Sequence, residues 1–70
     1  MNINTAVYSV TEGPHGRWIL YREGIAIGRD LQLGFAIQQA LLLAHRENLE
    51  GHAGTRVRLV SNGSSYDLTH

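Results

Sequence analysis

Alternating apolar and polar positions in the first third of the chain predict β-structure. Residues 6–11 are β-branched and aromatic and alternate apolar with polar side chains, as expected of a half-buried strand. After a turn that contains glycine and proline, residues 17–23 form a second segment of high β-propensity. We therefore predict an N-terminal hairpin over about residues 6–23. Residues 25–27 are then a short third strand or a strand-like lead-in to the next element.

The C-terminal part of the chain predicts a second hairpin, over about residues 56–68. Asn62-Gly63 is a strong signal for a two-residue type I′ turn. Such a turn pairs Arg58 with Asp67, two opposite charges on one face. The other face of the hairpin is apolar and carries Val57, Leu59, Tyr66 and Leu68. A slip of one residue would expose this apolar set, so the pattern defines the register.

Between the hairpins, an amphipathic pattern predicts one helix over about residues 31–49. Asp30 is placed to cap its N-terminus with a short acceptor side chain, and Gly51 is placed to end it. Helical spacing gathers one apolar stripe that we expect to pack on the sheet. Its members are Leu33, Ile37, Ala40, Leu41 and Ala44.

A second apolar stripe lies roughly opposite the first on this helix. It consists of Leu31, Phe35, Leu42 and Leu49. A single helix packed on one face of a sheet buries only one of its own faces, so a second apolar face stays exposed within one chain. We therefore favour a homodimer or a protein partner bound through this stripe. Two alternatives stay open: a loop or the N-terminal five residues cover the stripe, or its leucines are simply exposed.

The predicted fold class is α+β: an antiparallel sheet in ββαββ order with one helix packed on one face. The 70 residues form a single domain, 1–70, because a chain this short cannot build a second core. Domains of this size often need a disulfide, a metal or a partner subunit for stability. The chain has no cysteine, which excludes disulfides, thiolate zinc sites and iron–sulfur clusters. A partner subunit therefore remains as a source of stability.

Charge and hydropathy narrow the choice of partners. Six arginines and no lysine balance six acidic residues, so the whole molecule has no field that attracts nucleic acid or an anionic membrane. The sequence has no apolar run of transmembrane length and no signal-peptide pattern at its start. We expect a cytoplasmic location and no membrane partner.

The polar residues give no pattern typical of catalysis. The four histidines are dispersed and lack the spacing of metal ligands. No glycine-rich phosphate loop and no nucleophile-elbow pattern occurs. The carboxylates, including Glu47, are scattered and expected at the surface. We predict that the protein is not an enzyme and uses no metal or cofactor.

Nucleic-acid binding is the main alternative function. Its candidate residues are strand arginines with strand aromatics between them: Arg17, Arg22, Arg56 and Arg58, with Tyr8, Trp18 and Tyr21. On an open sheet face, such a set forms a stacking platform for single strands. The alternative interpretation gives these arginines no ligand: they are solvated side chains on an exposed sheet face and discourage edge-to-edge pairing with other sheets. A third hypothesis, a phage- or plasmid-borne inhibitor or antitoxin-like protein, rests on size alone.

Most of the chain from Tyr8 to Gly63 resembles a family of short uncharacterised bacterial proteins with a ββαβ core, grouped as a domain of unknown function. The matching patterns are Gly16-x-Trp18-x-Leu20-x-x-Glu23-Gly24, Ala36-Ile37-x-x-Ala40-x-x-x-Ala44-x-x-Glu47-Asn48, and Val57-x-Leu59 followed by Asn62-Gly63. The resemblance implies a fold and no activity. Helices of that family usually carry Glu and Lys on their outer side, where this chain has Leu31, Phe35 and Leu42. This departure argues against a purely monomeric protein.

Overall fold

The computed structural model describes residues 5–51 and 54–69 of the chain. Within those residues it contains five strands and one α-helix, which confirms the α+β class. The elements are β1 (Val7–Glu12), β2 (Trp18–Arg22), β3 (Ile25–Leu31), α1 (Leu33–Leu49), β4 (Arg56–Ser61) and β5 (Ser64–Asp67). A tight turn at Pro14–Gly16, in which His15 and Gly16 have positive φ angles, joins β1 to β2.

The sheet is mixed rather than wholly antiparallel. Its strand order is β3-β2-β1-β4-β5, and its central pair, β1 with β4, runs parallel. The predicted antiparallel character holds for the other three pairs and is wrong for this one. A parallel pair needs a long crossover connection, and here β2, β3 and α1 together provide it between β1 and β4.

Strand β3 forms a second N-terminal hairpin with β2, longer than the short strand predicted. Glu23 and Gly24 both have positive φ angles, 50° and 80°, and the flanking Arg22 and Ile25 are paired. This is the two-residue turn geometry in which both central residues have φ above zero. Glutamate is an uncommon residue in its first position, so the sequence signal was weaker than that of Asn62-Gly63.

The helix begins later than predicted because β3 continues to Leu31. Leu31 pairs with Trp18 across the sheet and packs against the core, and Gln32 therefore occupies the N-cap position. Asp30 lies within β3 at an irregularity of the pairing, with a φ of 58°, so its prediction as the N-cap was wrong. The predicted stop is confirmed: α1 ends at Leu49, and Gly51 follows with a φ of 97°.

Three alanines form the buried face of α1: Ala36, Ala40 and Ala44. They pack on Tyr8, Val10, Leu20 and Val57, which belong to the three central strands. The prediction was right for Ala40 and Ala44, and Ile37 is partly buried, but Leu33 and Leu41 are 37% and 38% exposed. The helix is turned so that its smallest side chains face the sheet, and this arrangement permits a close approach of the two layers.

The register of the C-terminal hairpin is confirmed. Arg58 pairs with Asp67 and Leu59 with Tyr66, and the Leu68 backbone N–H donates to the Val57 carbonyl at 2.8 Å. Strand β5 lies at the edge of the sheet, beyond the strands that α1 covers. For this reason Tyr66, on the apolar side of the hairpin, remains exposed.

Candidate protein interface

The outward face of α1 carries a row of large apolar side chains that are at least half exposed in the described part of the chain. Phe35, Leu42 and Leu49 are 51%, 50% and 74% exposed. They follow one another at intervals of seven residues, close to two helical turns, and therefore form one line along the helix. We call these three residues the outer row. They are the part of the predicted second stripe that the structure brings together.

Leu31, the fourth predicted member of the stripe, lies elsewhere. It ends β3 and is partly buried against the core, so its assignment to this face was wrong. The strand pairing with Trp18 decides its position before the helix begins. The alternative in which the N-terminal five residues cover the stripe concerns residues 1–5, of which 1–4 lie outside the described part of the chain.

Polar residues flank the outer row on both sides in a repeated pattern. Helical geometry places Gln38 and His45 along one flank, and Gln39 and Arg46 along the other. Each flank therefore has a neutral amide toward the N-terminus of α1 and a basic side chain seven residues later. The helix thus presents an apolar line bordered by hydrogen-bonding groups, the composition typical of a small protein interface.

The inward side of α1 carries a polar cluster near its C-terminal end. The Arg22 guanidinium donates two hydrogen bonds to Glu47, from Nε to Oε2 and from Nη2 to Oε1, each 2.9 Å long. The Tyr8 hydroxyl also donates to Glu47 Oε2. The guanidinium carbon lies 5.9 Å from the centre of the Tyr8 ring, within the range of a cation–π contact. This Tyr8–Arg22–Glu47 cluster joins the end of the helix to β1 and β2.

The electrostatics of this cluster favour a neutral tyrosine beside a charged pair. Burial raises the pKa of the Tyr8 hydroxyl, and its hydrogen bond to the Glu47 carboxylate raises it further, although Arg22 opposes this. The same carboxylate raises the pKa of the Arg22 guanidinium. Both Glu47 oxygens accept hydrogen bonds within the protein. We therefore interpret the cluster as a structural contact that holds the end of the helix on the sheet.

The sequence interpretation placed Glu47 in solvent, and this was wrong: its side chain is only 13% exposed. The spacing of residues along the helix already indicated that Glu47 faces inward. Glu47 follows Ala44 by three residues and so continues the inward face of the helix. Arg22 is the cross-strand partner of Tyr8, which places its side chain beneath the same helix end.

The structure does not bring the four candidate nucleic-acid arginines together. Arg22 is held by Glu47 on the helix-covered side of the sheet. Arg17 lies at the other end of β2, with its Nε 3.6 Å from Asp30 Oδ1. Arg56 and Arg58 lie on β4, where Arg56 pairs with Asp67 at 3.6 Å.

The candidate aromatic residues are divided in the same way. Tyr8 is buried in the core and Trp18 packs against it, so both lie on the covered side. Tyr21 pairs with Ser9 on the uncovered side, and Ser9 accepts a hydrogen bond from Arg58 Nε at 3.3 Å. The stacking platform that the sequence suggested is therefore split between the two faces of the sheet.

Comparison of the chain with protein-family models, curated proteins and solved structures finds no match. Over residues 5–51 and 54–69, no three histidine, aspartate or glutamate side chains form a group that could hold a metal ion. The described residues also contain no helix long and apolar enough to cross a membrane. The described residues form a small α+β domain with an exposed apolar row on its helix.

Proposed function

We propose that this protein is a non-enzymatic, cytoplasmic domain that works as a homodimer, assembled through the outward face of α1. The observation that carries the proposal is the outer row, in which Phe35, Leu42 and Leu49 are each at least half exposed. Large apolar side chains that are exposed in a row on one helix face are typical of an interaction site. The resemblance to the bacterial ββαβ family implies no activity and is compatible with a binding role.

The spacing of the outer row supports a second copy of the chain as the occupant. Phe35 and Leu49 each lie seven residues, about 10 Å, from Leu42. An antiparallel pair of helices related by a two-fold axis at Leu42 places Leu42 against its own copy. Phe35 of each chain then meets Leu49 of the other, so every apolar residue of the row finds an apolar partner.

The flanking residues favour the antiparallel orientation over the parallel one. In an antiparallel pair, Gln39 lies beside Arg46 of the second copy, and Gln38 lies beside its His45. Each basic side chain then meets a neutral amide that can accept a hydrogen bond. A parallel pair brings opposite flanks together, so Arg46 would lie beside His45 of the second copy and Gln38 beside its Gln39. Neither basic side chain would then meet a neutral acceptor.

The size of the interface predicts a weak dimer. Helix α1 has 17 residues and is about 25 Å long, so one helix face against another buries an area near the lower end for specific complexes. We therefore expect monomer and dimer to exchange as concentration changes.

Sedimentation velocity or light scattering across a hundredfold range of concentration tests the dimer. The wild-type protein should shift from monomer to dimer, and Leu42→Glu should remain a monomer, because two unpaired carboxylates would be desolvated at the axis. The control is Ile25→Glu, the same type of change at another exposed apolar residue, 68% exposed on β3, which should leave dimerisation unchanged. A wild-type protein that stays monomeric throughout rejects the proposal.

Single-cysteine variants test the orientation without interference, because the chain contains no cysteine. In the antiparallel dimer, oxidised Leu42→Cys should cross-link to its own copy. Phe35→Cys and Leu49→Cys should cross-link only when the two variants are mixed, since disulfides need closely placed Cβ atoms. Efficient self-linking of Phe35→Cys and Leu49→Cys alone would show a parallel pair instead.

A further inference from the structure

A depression with a volume of about 220 Å³ lies where the β1–β2 turn meets the end of β3. It is lined by Pro14, His15, Arg17, Ile19, Arg29 and Asp30. The two neighbours of Ile19 along β2, Trp18 and Leu20, belong to the core or pack against it beneath the helix. Because successive side chains of a strand point to opposite faces, Ile19 and the depression lie on the sheet face opposite α1. We call it the basic corner. It lies on the other side of the sheet from the outer row.

The basic corner has more positive than negative groups, and part of its donor capacity is unused. Arg17 and Asp30 form an exposed ion pair of 3.6 Å. The side chains of His15 and Arg29 make no hydrogen bond or ion pair with any residue in the described part of the chain. One guanidinium and one imidazole are therefore available to a ligand, beside a second guanidinium held only by a long ion pair.

A second depression on the same sheet face, about 310 Å³ in volume, differs in this respect. It is lined by Val7, Arg56, Arg58, Ser65 and Asp67. Both of its arginines have partners: Arg56 pairs with Asp67, and Arg58 donates to Ser9. The larger depression therefore offers fewer uncommitted donors than the basic corner.

The backbone of the basic corner is held in an uncommon conformation at two positions. His15 and Asp30 have φ angles of 62° and 58°, in the left-handed region that residues with side chains seldom adopt. Three of the four non-glycine residues with positive φ, His15, Glu23 and Asn62, each precede a glycine of positive φ in a tight turn that requires this geometry. At His15 the turn is closed by the Arg17 N–H, which donates to the Pro14 carbonyl at 3.2 Å. Asp30 adopts it at the irregularity in the pairing of β3 with β2, and aspartate is one of the residue types that tolerate this conformation.

We propose that the basic corner binds a phosphoryl group. Guanidinium groups match the oxygens of phosphate with paired donors, and Arg17, Arg29 and His15 surround one depression. Its volume is below the roughly 300 Å³ at which pockets for small molecules begin. The corner is therefore smaller than a typical small-molecule pocket and has room for a phosphoryl group, either of a free phosphate or of a longer ligand such as a nucleic-acid backbone.

An NMR titration of the ¹⁵N-labelled protein with inorganic phosphate tests this site directly. Amide signals of Gly13, of residues 15–17 and of residues 28–30 should shift in a saturable manner. Arg29→Gln should weaken binding about tenfold, the loss expected when one charged hydrogen-bond donor is removed. Arg58→Gln, the same change of charge on the same sheet face, is the control and should leave phosphate binding unchanged.

Asp30→Asn is a second variant that should strengthen binding. Asparagine tolerates the left-handed conformation as aspartate does, so the backbone is preserved while the competing negative charge is removed. We expect phosphate to bind several-fold more tightly. A purely structural role of Asp30 predicts no change in phosphate affinity, so this result separates the two roles.

A single-stranded oligonucleotide distinguishes the two sources of the phosphoryl group. If the ligand is a nucleic-acid backbone, the oligonucleotide should bind far more tightly than phosphate, with a steep dependence on salt, and both Arg29→Gln and Arg58→Gln should weaken it. If the ligand is a free phosphoryl group, the oligonucleotide should bind no more tightly than phosphate. The proposal is overturned if phosphate shifts no signals at the corner, or if Arg29→Gln binds phosphate as the wild type does.

Discussion

Helix α1 carries its smallest apolar side chains toward the sheet and its largest toward solvent. Ala36, Ala40 and Ala44 are at most 2% exposed, whereas Phe35 and Leu42 on the opposite side are about half exposed. In an ordinary amphipathic helix the large residues are inside and the outer side is charged. Both faces of this helix are apolar, so hydrophobicity alone does not show which one packs on the sheet. The size of the side chains distinguishes the two faces.

The inward face shows that a helix can be fixed on a sheet by close approach rather than by bulk. The alanines leave room for Tyr8 and Val10 beneath the helix, and the Tyr8–Arg22–Glu47 cluster supplies specific bonds at one end. Among residues 5–51 and 54–69, the outward face has neither close packing nor such bonds. Its apolar area is therefore available to a second molecule.

The largest expected difference between the faces concerns added or removed volume. Ala40→Leu inserts three carbons beneath the helix and should destabilise the domain by about 2–3 kcal/mol. Leu42→Ala removes the same volume from the outward face and should change the stability of the monomer by less than about 0.5 kcal/mol. Urea unfolding at low protein concentration measures both free energies of unfolding. Equal losses would mean that the outer row is packed within one chain.

The second prediction concerns the polar cluster on the inward face. Glu47→Gln replaces a carboxylate that accepts hydrogen bonds from Tyr8 and Arg22, and should lower the free energy of unfolding by about 2 kcal/mol. Glu50→Gln removes an exposed carboxylate from the same end of the helix and should have little effect. Equal urea midpoints for the two variants would contradict a structural role of the polar cluster.

The smallest effect should appear at alkaline pH. Burial raises the pKa of Tyr8 above the ordinary value of 10.0, so the unfolded chain loses this proton at a lower pH than the folded chain does. The contribution to stability is complete below pH 10 and declines as the pH rises through the folded-state pKa. Urea midpoints from pH 8 upward should show this decline, and Tyr8→Phe should lack that component. An identical decline in Tyr8→Phe would assign it to other groups.

Local chemistry was sufficient for some elements of this protein. The Asn62-Gly63 turn defined the register of β4 and β5 because both strands meet within two residues. Gly51 marked the end of the helix for the same reason, since a positive φ is a local requirement. The seven-residue spacing of Phe35, Leu42 and Leu49 was also readable along the chain, as was their position opposite Ala40.

Other features depended on segments that are distant in sequence. The parallel pairing of β1 with β4 joins strands separated by the whole crossover, and no local pattern encodes it. Leu31 became a strand residue through its pairing with Trp18, and this moved the start of the helix past Asp30. Glu47 is enclosed only because the helix end lies over Tyr8 and Arg22. The sequence by itself thus determined turns and periodicities, whereas tertiary packing decided which polar groups are buried and which apolar row stays outside.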